Sequence, residues 1–128
     1  MIILISKEEQ EIYDLTSNLL HAIRKGDVET YKKYTSQKLS CIEPETSGSV
    51  VIGLDFHLFF IKNMKLNDYH FEIINPTIRV FSDTAYICYS LLTNTFSDNK
   101  FSLKTVFETR IYHKEAGQWK MVHFHRNN

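Results

Sequence analysis

The chain has 128 residues, fifteen basic and fifteen acidic side chains, and 43% hydrophobic residues, the profile of one domain with a core of its own. A net charge of zero excludes the basic field that nucleic-acid binding needs and gives little electrostatic protection against self-association. The N-terminal run Ile2-Ile3-Leu4-Ile5 is too short for a signal peptide or a membrane span, so a cytoplasmic location without membrane attachment is expected.

Taken in chain order, Ser6 and Glu9 have the spacing of a capping box, in which each side chain bonds a backbone N–H at a helix start. Ile12, Leu15, Leu19, Leu20 and Ile23 then recur at helical spacing, and Gly26 stands where a helix end takes a left-handed residue. These signals predict a helix over Lys7–Lys25. Asp27 can cap a short second helix carrying Val28, Tyr31 and Tyr34. Leu39 to Glu43 reads as a strand, Pro44 to Ser49 as a turn, and Gly53 to Met64 as a third helix with Asp55 in its first turn. Four strand-like segments follow: His70 past Asn75-Pro76 to Phe81, Ala85 to Thr95, Lys100 to His113, and Gln118 to Arg126. The turns between them, at Ser82-Asp83, Ser97-Asp98-Asn99 and Ala116-Gly117, are short enough for antiparallel hairpins. Helices first and strands after predict an α+β domain whose curved sheet encloses a cavity.

No GxGxxG, Walker loop, GxSxG elbow, kinase catalytic loop or Asp-Phe-Gly is present, so no nucleotide cofactor is expected and the chain is not itself a kinase. Cys41 and Cys88 lack CxxC spacing and read as reduced thiols. Arg110 lies within a strand, on the face of Val106, Glu108 and Tyr112; Arg126 ends the last strand, on the face of Val122 and Phe124. A guanidinium among apolar neighbours needs either a local acid, with Glu43, Glu45 and Glu108 as candidates, or a bound anion such as a small organic acid. His123-x-His125 has metal-ligand spacing, but without a third ligand nearby no metal is expected, and bonding within the sheet or an interface is the plainer reading. Asp55 and His57 are two apart on a helix and do not face each other. The segment Ala85–Leu92 is apolar on both faces, with Ala85, Ile87, Tyr89 and Leu91 on one and Tyr86, Cys88 and Leu92 on the other. The helices can cover one face only, which predicts self-association through the other.

Glu43-Pro44-Glu45, Gly53-Leu54-Asp55-Phe56-His57, Asn75-Pro76, Glu108-Thr109-Arg110 and Trp119 followed by Val122-His123-Phe124-His125-Arg126 resemble, in order and spacing, the association (hub) domain of calcium/calmodulin-dependent protein kinase II. Gly26-Asp27 followed by Tyr31 extends the likeness to almost the whole chain. The resemblance implies the cone-shaped nuclear transport factor 2-like fold and assembly into homodimers and then a two-tiered ring. It also implies a pocket for a small carboxylate at Tyr31, His57, Arg110 and Arg126. It departs from the family at Leu91, where a third pocket arginine is expected. No basic calmodulin-target helix is visible, so calmodulin binding is a family expectation only, and the chain reads as a free-standing relative. The expected function is a non-catalytic, self-assembling domain. The alternative is a small enzyme of ketosteroid isomerase or polyketide cyclase type, with His57, Glu45 or Glu43 as base. A separately encoded kinase as partner is open.

Overall fold

Ser6 accepts a hydrogen bond from the Glu9 amide at 3.1 Å, and Glu9 returns one from the Ser6 amide at 3.0 Å. This box starts helix α1, Lys7–Lys25, at the residue the spacing predicts. In the computed structural model, which describes residues 5–64, 66 and 68–127, the only part of the N-terminal apolar run that is described is Ile5. Helix α1 ends at Gly26, whose φ of 71° lets its own amide and that of Asp27 return to the carbonyls of Ile23 and Ala22; other residues resist that left-handed conformation. Asp27 then accepts from the Thr30 amide at 3.1 Å and caps helix α2, Val28–Lys33.

Strand β1, Thr35–Ile42, begins four residues before the expected Leu39 and leads into a 3-10 turn at Pro44–Thr46. The two-residue strand β2, Val51–Ile52, was not legible as a strand; it is edge pairing on β1. Helix α3, Asp55–Asn63, follows, and then the four long strands β3 (Tyr69–Phe81), β4 (Thr84–Ser97), β5 (Lys100–Glu115) and β6 (Gln118–Arg126). They form one six-stranded sheet in the order β2-β1-β6-β5-β4-β3. All neighbours are antiparallel except β1 and β6, which run parallel, with α3 and the four strands β2–β5 between them in the chain. The loops at Asp98-Asn99 and Ala116-Gly117 hold two residues each, all at positive φ, the twist that joins neighbouring strands most directly.

Two irregularities bend the sheet. In β3, Asn75 and Pro76 sit between the pairs Ile74–Ser90 and Thr77–Cys88, with Asn75 at φ 52°. β3 is an edge strand, where a proline without an N–H is tolerated. In β6, the pairs Tyr112–Met121 and Ile111–His123 leave Val122 as an extra residue. Strict alternation groups Val122 with Phe124 and Arg126; the bulge instead brings Trp119, Met121 and Phe124 to the inner face together.

The concave face is covered by α1, whose Ile12, Leu15, Leu19 and Leu20 pack among Ala85, Ile87, Leu91, Val106 and Tyr112. Removing a large aliphatic side chain from such a site, as in Leu19→Ala, costs about 2–5 kcal/mol. Thr16, also buried, donates to the Ile12 carbonyl and shares a 2.8 Å bond with the Tyr112 hydroxyl, which locks the helix to β5. Among the described residues the convex face has no such cover. Phe101, Leu103 and Phe107 are 74%, 71% and 61% exposed there. The expectation of a sheet apolar on both sides and covered on one holds.

Candidate functional site

The wide end of the concave face keeps a cavity of about 140 Å³. Helix α2 delivers Tyr31 to it, α3 His57, the end of β1 Glu43, β5 Glu108 and Arg110, and β6 Phe124 and Arg126. The structure therefore brings together Tyr31, His57, Arg110 and Arg126, which are spread over almost a hundred residues of chain. Glu45 does not line the cavity but holds Arg126 at its rim.

Arg110 is 1% exposed. Its Nη2 meets Glu108 Oε1 at 3.3 Å, its Nε donates to the Tyr89 hydroxyl at 3.0 Å, and Nη1 points at Met121 Sδ at 3.1 Å. Tyr89 in turn donates to Glu108. The guanidinium carbon lies 4.1 Å from the Phe124 ring centre, a cation–π seat. Burial opposes the charge, and Tyr89 and Glu108 outweigh it, so Arg110 is held above its ordinary range. Period-two counting finds the Arg110–Glu108 pair. It misses Tyr89, which the β4–β5 register places directly opposite Glu108, and Met121, which the Val122 bulge turns inward.

Glu43 does not pair with an arginine, contrary to expectation. The 3-10 turn ties its backbone to Thr46, with Thr46 Oγ1 donating to the Glu43 carbonyl at 2.8 Å. The carboxylate is left beside His57, 3.3 Å from Nε2. The other ring nitrogen is 2.7 Å from the Tyr31 hydroxyl. A carboxylate oxygen accepts, so Nε2 carries the proton and Nδ1 accepts from Tyr31. Burial pushes the Tyr31 phenol far above its ordinary value, which keeps it a neutral donor. His57 is thus oriented by Glu43, not by Asp55, which lies in the first turn of α3.

Arg126 pairs with Glu45. Partial burial alone would push Glu45 up; the Arg126 guanidinium outweighs it and holds the carboxyl below its ordinary value. Leu91, where a third arginine was expected, is a buried core residue. A cation does reach the cavity, but from the other side: Arg24 of α1, one helical turn after the buried Leu20. That i+4 spacing was the available signal for Arg24. His123 bonds Ser40 Oγ at 2.7 Å and, with exposed His125, lies away from the cavity.

Comparison with known proteins bears on all of this. The sequence model of the calcium/calmodulin dependent protein kinase II association domain matches residues 8–128. The calcium/calmodulin-dependent protein kinase type II subunit delta of Oryctolagus cuniculus is 40% identical over 129 residues, covering 96% of this chain; the chain spans 24% of that relative's length. Among solved structures, the association domain of the C. elegans kinase superposes with a TM-score of 0.89 at 32% identity, covering 94% of this chain and 95% of that one. A nuclear transport factor 2-like protein from Salmonella enterica serovar Typhimurium gives 0.75 at 20% identity, covering 92% and 88%, a likeness of fold.

Proposed function

Since the chain belongs to the calcium/calmodulin-dependent protein kinase II association domain family, we propose that it is a non-catalytic, self-assembling hub whose cavity holds a small carboxylate. The observation that carries the assembly is the convex face, which no described element covers. On it Phe96 and Phe101 pair across β4 and β5 with ring centres 4.8 Å apart, and Leu103 and Phe107 extend the same apolar row along β5. A row of this kind on a neutral domain favours burial against a second copy, and in the family such domains associate. The carboxylate reading is supported by the arginines gathered at the cavity, since guanidinium forks match carboxylates.

Sedimentation of the chain at micromolar concentration tests the assembly. Particles of several times 15.1 kDa are expected, and Phe107→Glu is expected to reduce them while leaving the far-ultraviolet spectrum intact. A wild-type monomer refutes the reading.

One observation favours a second reading, a small enzyme of ketosteroid isomerase or polyketide cyclase type. An imidazole oriented by the Glu43 carboxylate is the form of a general base. Exchange of α-protons for deuterium on a panel of cyclic ketones, followed by proton NMR, discriminates. Exchange above the buffer rate that His57→Gln abolishes would establish chemistry; none leaves the hub reading.

A further inference from the structure

Three pairs of side chains at the cavity and its rim are already matched: Arg110 with Glu108, Arg126 with Glu45, and His57 with Glu43. Arg24 is the exception. Among the described residues no carboxylate pairs with it. Its Nη2 donates to Thr93 Oγ1 at 3.2 Å and its guanidinium carbon lies 5.4 Å from the Phe71 ring centre, but its buried Nε has no partner among the described residues. The buried Nε of Arg126 likewise has none. A guanidinium offers five donors, and leaving them dry and unmatched is costly. Both arginines line the cavity and also an adjoining lobe floored by Leu91 and Val106 and edged by Thr93 and Lys104. The part common to both spaces is therefore bordered by two arginines, each with an unused donor, and Lys104 edges the adjoining lobe.

We propose that Arg24 and Arg126 together seat the carboxylate of a small acid, with Arg24 supplying a cation from α1 beside Leu91 and Thr93. This rests on the carboxylate part of the function proposed above and makes it specific. Glu108 and Glu43 already place two carboxylates in the cavity, so a ligand with one carboxylate is matched. A dicarboxylate would bring its second charge toward Glu108 and Glu43, which also line the cavity. Arg110 is then a positioning residue, fully engaged by Glu108, Tyr89 and Met121, and its charge shapes the cavity without holding the acid.

Calorimetric titration of the full chain with butyrate, butyramide and succinate tests this. Butyrate is expected to bind, and succinate and the uncharged amide to bind at least tenfold more weakly. Arg24→Gln is expected to weaken butyrate by roughly 10–100-fold, the scale of a charged hydrogen bond, and Arg24→Lys by less. Methyl resonances of Thr93 and Leu91 in the wild-type protein should move on addition of butyrate, a readout that needs no variant. Butyrate affinity within twofold of wild type in Arg24→Gln, or still methyls at Thr93 and Leu91, overturns the seat. If the Glu108→Gln/Arg110→Met double variant loses butyrate while Arg24→Gln keeps it, the carboxylate reading stands and the assignment to Arg24 falls. Absence of butyrate binding to the wild type overturns both, whatever the particle mass.

Discussion

Replacing Glu108 by Gln keeps the shape of the side chain and removes the countercharge of a guanidinium that is 1% exposed. At the 3.3 Å separation of Nη2 and Oε1, and with an effective dielectric constant of about 20, the lost attraction is about 5 kcal/mol. The Phe124 ring 4.1 Å away stabilises the charge before and after the change, so it does not reduce the difference. Tyr89 can still donate to the Gln amide oxygen and keeps its contact with Arg110 Nε. The expected loss is about 3–5 kcal/mol, the range for stripping one partner from a buried ion pair. In a domain of this length that lowers the thermal midpoint by roughly 10–20 °C. The double variant Glu108→Gln/Arg110→Met removes the stranded charge and should recover most of the loss, because an apolar residue of similar length suits the same site. Thermal and urea unfolding at one fixed protein concentration measure both, since assembly makes the midpoint depend on concentration. A single variant that loses less than about 1 kcal/mol, or a double variant no more stable than the single one, would refute the view that Arg110 depends on Glu108.

Two further outcomes follow from the geometry. His123 is held below its ordinary value, first by partial burial and second by its neighbour His125. The unfolded chain therefore takes up the proton more readily, and stability should fall as pH drops through about 6.5 toward 5. Urea midpoints measured across that window should decline less steeply in His123→Asn, and an unchanged slope would show that His123 is not the group responsible. Gly26→Ala should cost roughly 1–2 kcal/mol by thermal unfolding, because a Cβ at φ 71° is strained; a neutral effect would mean that the end of α1 relaxes.

Much of the chain was legible because its signals are local. Ser6, Glu9 and Gly26 mark both ends of α1, and the turn residues mark the hairpins, since backbone hydrogen bonding at helix ends and turns depends on a few neighbouring side chains. The order and spacing of short motifs carried the family and with it the candidate residues Tyr31, His57, Arg110 and Arg126. What the sequence could not decide were the partners. Glu43 was open among three acids, and only the 3-10 turn after β1 aims it at His57. Period-two counting fails across Val122, because a bulge is set by how β6 meets β5 and not by the identity of the bulged residue. Leu91 showed that a cation was missing from one strand. That Arg24 approaches the same cavity from α1 depends on where the helix lies across the sheet, which is settled by packing between segments some seventy residues apart.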